Sequence, residues 1–255
     1  MLGRMGDDTR YLNFGAGTPA PGWLNLDSSP WFVLPRGAHR MLAAAGNARS
    51  QFFCEAPYAY FRHAPPKPLP FEDASMEAIY CSHVLEHLPA GAVQSLLDEF
   101  KRVLKPGGRL RLIVPDLEAN LRDLLASDAP FASLDAALGT LPEVLTGPPS
   151  PPLKGDTGGC EGNTGAPPHP NPLPGGEGEV PVRTRIRAAL EGFFGFPSCH
   201  RTAYFRAPLR AHLERDWEVE TGCGYLESGI DATRIASVEQ TSRCENALVW
   251  ELTRR

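Results

Sequence analysis

The chain has 255 residues, 42% hydrophobic and 22% charged, with a formal net charge of -5. That length suits one elaborated domain around a single sizeable core. The charge leaves no strong footprint for duplex DNA or long RNA, and no apolar run approaches the roughly 20 residues of a membrane span.

The opening stretch Met1–Asp8 lacks the apolar centre of a signal peptide. Cysteines at 54, 81, 160, 199, 223 and 244 form no Cys-x-x-Cys pair. Neither a zinc site nor a disulfide framework is expected, and reduced thiols in the cytoplasm are.

Tyr11-Leu12-Asn13-Phe14 reads as a short apolar strand entering a glycine turn, Gly15-Ala16-Gly17. Without a Cβ at 15 and 17 the backbone can turn tightly and approach a ligand. Trp23-Leu24-Asn25-Leu26-Asp27 reads as a second strand ending on a carboxylate, which could accept hydrogen bonds from a ribose diol. The third glycine of a dinucleotide fingerprint is missing, and Asp27 follows Gly17 well short of the usual roughly 20 residues. The first crossover helix is therefore expected to be shortened or absent. Gly-x-Gly alone is equally common in plain surface turns.

A third short strand is placed around Ala59-Tyr60-Phe61-Arg62, running into the proline-dense loop His63-Ala64-Pro65-Pro66. Ala78-Ile79-Tyr80-Cys81-Ser82 reads as a buried strand. From Gly91 the spacing turns helical, with Val93, Leu96, Leu97, Phe100, Val103 and Leu104 on one face. Lys105-Pro106-Gly107-Gly108 stops that helix. Arg109–Pro115 is the next strand, and a helix begins at Leu117.

Residues 147–180 change character: about half are Gly or Pro and none is aromatic. Such a segment cannot offset its ordering entropy and reads as a disordered insert in the single domain. An amphipathic helix is expected from Arg183, then a helix through Leu209 and Leu213. Trp217–Glu220 and Asn246–Leu252 read as two late strands in an antiparallel hairpin. The whole predicts an α/β, Rossmann-like, doubly wound, mostly parallel sheet. The turn at 15–17, Asp27, 63–65, 82–83 and 115–116 all fall at strand carboxyl ends, where such sheets bind ligands.

The segments Leu12–Gly17, Pro21–Asp27, Leu69–Asp73, Tyr80–Leu88 and Phe100–Gly108, in that order and spacing, resemble class I S-adenosylmethionine-dependent methyltransferases. Within that class they are similar to the small, predicted bacterial group of type 11 with a shortened first crossover. The resemblance implies a seven-stranded sheet whose last strand is antiparallel, and S-adenosyl-L-methionine as cofactor. It implies that Phe14, Gly15, Ala16 and Gly17 bring backbone amides to the methionine part, and that Asp27 holds the ribose. Ala64 and Pro65 would lie along the adenine, with Ser82 and His83 at the methyl-donor end. The family commonly has acids where this chain has Asn13 and Ala64.

Methyl transfer from a sulfonium is an in-line displacement in which the protein mainly aligns donor and acceptor. A base is needed only when the acceptor must lose a proton. His83, His87 and His200 are the candidates. Their structural alternatives are pocket lining for His83, helix-start packing for His87 and a loop contact for His200. His83 and His87 lack the Glu-x-x-His frame of a metalloprotease, and no metal is expected. The expected function is methyl transfer to a small-molecule or glycan-type O or N acceptor. The alternative is a degenerate, non-catalytic protein of the same fold acting as a binding partner.

Overall fold

β1 (Tyr11–Phe14) and β2 (Leu24–Asp27) form where apolar residues run up to the glycine turn and to Asp27. In the computed structural model, which describes residues 10–62, 68–126, 202–220 and 223–255, the two strands pair in parallel from Leu12–Leu24 to Phe14–Leu26. No helix joins them. The buried Asn25 amide braces the short crossover instead: its Oδ1 accepts from the Ala20 amide and from Asn13 Nδ2. Its Nδ2 donates to the carbonyls of Ala20, Trp23 and Pro57.

The second crossover carries a 3-10 turn at Pro30–Val33, then α1 (Arg36–Ala44) and α2 (Ala48–Glu55). Asn47 caps α2 by accepting from the Ser50 amide at 2.9 Å. β3 (Tyr58–Tyr60), β4 (Met76–Ser82), a 3-10 turn at Leu85–His87, α3 (Ala90–Val103), β5 (Leu104–Pro115) and α4 (Leu117–Ala126) follow. The later part contributes α5 (Arg206–Leu213), β6 (Trp217–Glu220), α6 (Ala232–Val238), α7 (Thr241–Cys244) and β7 (Ala247–Arg254).

The seven strands form one sheet in the order β3-β2-β1-β4-β5-β7-β6, with β7 antiparallel to both neighbours. This is the expected Rossmann-like, mostly parallel sheet with an antiparallel pair at its end. Strand order reverses between β1 and β4, the switch point beside which such sheets place a ligand crevice.

Each face of the sheet has its own core. On one, Leu12, Phe14, Ile79, Cys81 and Leu112 pack with the α3 stripe Val93, Leu96, Leu97 and Phe100 and with Leu209 and Leu213 of α5. On the other, Trp23, Tyr80 and Ile113 pack with Ile230, Ile235, Val238 and Cys244. The β6–β7 connection thus covers the face that a helix between β1 and β2 would otherwise shield.

Two local expectations are corrected. β5 starts at Leu104 rather than Arg109, because Leu104 already pairs with Met76. Residues 105–108 are then taken up where the register slips between Met76 and Ala78, and Gly107 supplies a φ of +74° there. β3 ends at Tyr60, short of Arg62. The aromatic-rich stretch before it contains the helix α2, whose side chains divide between buried Phe53 and exposed Phe52. The insert at 147–180, the helix expected from Arg183, Ala64, Pro65 and His200 lie outside the described residues.

Candidate functional site

The glycine turn lies directly against the end of β2. Amides of Gly15 and Ala16 both donate to the Leu26 carbonyl, at 2.9 and 3.1 Å. The Gly17 amide donates to Asp27 Oδ2 at 2.7 Å, and the Ser29 amide to Asp27 Oδ1 at 2.6 Å. Arg49 donates to the Gly17 carbonyl at 2.6 Å while its guanidinium sits 5.1 Å from the Trp31 ring centroid. Burial pushes the Asp27 carboxyl up. The amides of Gly17 and Ser29 and the Arg49 charge pull it back only in part. Positive φ at Gly15 and Gly17, +70° and +59°, lets the turn fold this tightly. Both oxygens of Asp27 and all three turn amides are therefore engaged within the chain.

A cavity of about 270 Å³ opens beside this turn, between the ends of β1 and β4 and beneath the α6–α7 connection. Asn13, Gly15, Ala16, Tyr80, Ser82 and Arg243 line it, with Phe52 and parts of 18–21 and 237–240. Its volume is near the lower end, about 300 Å³, of small-ligand sites. Asn13 and Tyr80 are register partners, and side chains two apart on a strand share a face, so Asn13, Tyr80 and Ser82 form one floor. The hydroxyls of Tyr80 and Ser82 are buried and lack a fully formed hydrogen bond among the described residues. Ser82 still lies near enough to temper the Tyr80 phenol, which burial drives far up. Unpaired buried hydroxyls are costly, and a polar ligand would relieve both.

The roof is tied down by polar contacts from distant parts of the chain. Trp23 Nε1 donates to the Arg234 carbonyl at 3.0 Å, and Arg234 donates to the Gly22 carbonyl at 2.5 Å while lying 3.8 Å over the Tyr11 ring. Arg111, fully buried, donates to both oxygens of Glu239 and to the carbonyls of Gly224 and Glu227. This anchors the segment that leads into α7.

At the carboxyl end of β4, His83 adopts a φ of +55°, a left-handed conformation rare for a side-chain-bearing residue. Its Nδ1 lies 3.3 Å from Glu86 Oε1 and its Nε2 is 2.9 Å from the Arg243 carbonyl. Glu86 Oε1 lies close enough to favour the cationic imidazole, although neither Glu86 oxygen has a fully formed hydrogen bond among the described residues. Burial opposes that charge, but the Glu86 carboxylate and the Arg243 carbonyl outweigh it and raise the His83 pKa. With both nitrogens engaged, His83 holds α7 to β4 in this conformation.

Of the residues singled out from sequence, Gly15, Ala16 and Ser82 line the cavity. Gly17 and Asp27 form the wall behind it. Phe14 turns its side chain into the opposite core, 5.2 Å from the Phe100 ring centroid. His87 lies in the 3-10 turn after β4 and is not among the lining residues. Tyr80, Arg243 and Phe52 went unnoticed. Strand alternation with Ser82 could have flagged Tyr80; nothing local flags Arg243, whose contact with His83 spans 160 positions.

Among the described residues no three His, Cys, Asp or Glu side chains converge as metal ligands, and no helix is long and apolar enough to cross a membrane. Residues 37–112 match the family model described as a methyltransferase domain. That span runs from α1 into β5 and leaves out the glycine turn and Asp27. No curated protein matches. Among solved structures, the PH0226 protein of Pyrococcus horikoshii OT3 is 17% identical, with 47% of this chain and 55% of that chain covered and a TM-score of 0.32. The YcgJ protein of Bacillus subtilis is 20% identical over 47% of this chain and 50% of its own, with a TM-score of 0.29. The chain therefore spans about half the length of these two. Geranyl diphosphate C-methyltransferase of Streptomyces coelicolor A3(2), in complex with Mg2+, geranyl diphosphate and S-adenosyl-L-homocysteine, is 12% identical over 100% of this chain and 76% of its own, with a TM-score of 0.38.

Proposed function

We propose that this chain, similar to the class I S-adenosylmethionine-dependent methyltransferases and matching their domain over residues 37–112, moves a methyl group from S-adenosyl-L-methionine to an O or N atom of a small-molecule or glycan-type acceptor. The observation that carries the reading is the cavity at the strand-order reversal, built from the glycine turn and the polar end of β4. The cofactor, when bound, supplies an activated methyl on a sulfonium.

The chain's own part is alignment and exclusion of water, worth several kcal/mol of the barrier. Gly15 and Ala16 would form the near wall, Ser82 and Tyr80 would hydrogen-bond the polar end, and Asp27 would brace the turn from behind. Where Phe14 contributes, it does so through its backbone. Ala64 and Pro65 at the adenine, and His200 and His87 toward the acceptor, are proposed on the family likeness alone. His83 is proposed as a positioning residue, because both its nitrogens are engaged. A cytoplasmic location is proposed with this reading.

One observation favours a second reading, a non-catalytic binding protein of this fold: the three turn amides and both Asp27 oxygens are satisfied inside the chain. Calorimetric titration with S-adenosylmethionine, S-adenosylhomocysteine and NADH separates the two. Micromolar binding of the first two, without NADH binding, supports the enzyme. Silence toward all three refutes it.

A further inference from the structure

The lining of the cavity carries one charged side chain among the described residues, and it is a cation: Arg243 of α7. The family's usual donors to an amino-acid ligand are committed elsewhere, since the amides of Gly15, Ala16 and Gly17 all bond to the end of β2. Asp27 does not line the hollow, and the strand position where an acid is common holds the neutral Asn13.

Arg243 is also held in place. Its carbonyl accepts from His83 Nε2 at 2.9 Å. Its guanidinium reaches over the glycine turn, 4.0 Å from where a Cβ on Gly17 would sit. No carboxylate pairs with that guanidinium among the described residues. Tyr80 and Ser82 line the same hollow, and their buried hydroxyls lack a fully formed hydrogen bond among the described residues. A planar cation and two buried hydroxyls lining one hollow suit a carboxylate, which accepts on both of its oxygens.

We propose that Arg243, delivered by the connection between β6 and β7, binds the carboxylate of the cofactor's amino-acid end, taking over from the turn amides. The inference rests on the methyltransferase reading and adds to it the residue and the segment responsible. It also gives the β6–β7 connection a task beyond covering the sheet: it closes the site and brings its charge.

The test compares S-adenosylmethionine with decarboxylated S-adenosylmethionine, which keeps the adenosyl group, sulfonium and amine but lacks the carboxylate. Calorimetry on the full chain should show a preference of about ten- to a hundredfold for the carboxylated ligand, the range of a hydrogen bond to a charged group. Arg243→Gln should shrink that preference to within about threefold, leaving affinity for the decarboxylated ligand unchanged. Arg243→Lys should restore part of it. Because the His83 contact uses the Arg243 backbone and the side chain is exposed, both variants should melt with the native protein. A native preference that survives Arg243→Gln overturns the inference and leaves the methyltransferase reading standing, as does equal native affinity for the two ligands. Absence of native binding to either overturns both.

Discussion

Gly15→Ala probes the glycine turn more directly than any change at Asp27. Gly15 has a φ of +70°, and a Cβ there would sit 2.2 Å from Cγ2 of Val84, well inside contact distance. Two costs follow. Holding alanine in the left-handed region costs about 1–2 kcal/mol. Relieving the clash costs about 1–3 kcal/mol more, because a β-branched valine packed against the core has few alternative rotamers. The sum, about 2–5 kcal/mol, corresponds to a fall in melting temperature of roughly 4–20 °C for a domain of this size. Scanning calorimetry at a fixed scan rate measures it. A double-mutant cycle separates the parts: in a Val84→Ala background the clash is gone, and Gly15→Ala should cost only the backbone share, about 1–2 kcal/mol. If Gly15→Ala melts within 2 °C of the native protein, as estimated against that range, or if the cycle shows no coupling, the turn is not built as described.

Three further outcomes are expected. The His83 pKa is raised over its unfolded value, about 6.5, so its contribution to stability is fully present below that pH. It is lost as pH climbs through the folded value; urea unfolding across pH should show the loss in the native protein and not in His83→Gln, and an imidazole resonance titrating below 6.5 would refute the assignment. The charged groups facing His83 are Glu86 from its own turn and Arg243 from α7. Glu239→Gln removes the nearer of two buried carboxylates at Arg111 and leaves Glu251 at 3.8 Å, so it should cost about 1.5–3 kcal/mol in urea unfolding, the range of a hydrogen bond to a charged group; a loss below about 1 kcal/mol, the level of a surface pair, would show that the pair does not anchor the roof. Asn25→Ala strips the bonds to Asn13, Ala20, Trp23 and Pro57, at about 2–4 kcal/mol. It should also open residues 15–21 to proteolysis; unchanged cleavage there would count against the brace.

The strands and the α3 stripe were legible because local patterns carry them. Ala78–Ser82 is apolar and bounded by turns, and the face from Val93 to Val103 has the helical period. The absent first crossover helix was legible by counting, since nine residues between Phe14 and Leu24 leave little room for one. α2 was not, because Phe52 and Phe53 point to opposite environments and blur the period. The start of β5 was hidden by Pro106, Gly107 and Gly108, which signal a stop although the strand resumes pairing beyond them. The site divided in the same way. Gly15, Ala16 and Ser82 stand next to recognisable strand ends. Arg243 reaches the cavity only through tertiary contacts, and the inward turn of the Asp27 carboxylate depends on the Gly17 and Ser29 amides.

The bracing of Trp23 by Arg234 bridges 211 positions along the polypeptide, and that distance has a kinetic consequence. During synthesis β1, β2, β4 and β5 are all available before α6 exists, so Trp23, Tyr80 and Ile113 must wait with their apolar surface bare. Loop closure of this length is slow, and exposed surface of this kind invites self-association while it lasts. Refolding yield should therefore drop with rising protein concentration. A small molecule that binds only the finished hollow should rescue it by mass action, drawing late intermediates toward the native state.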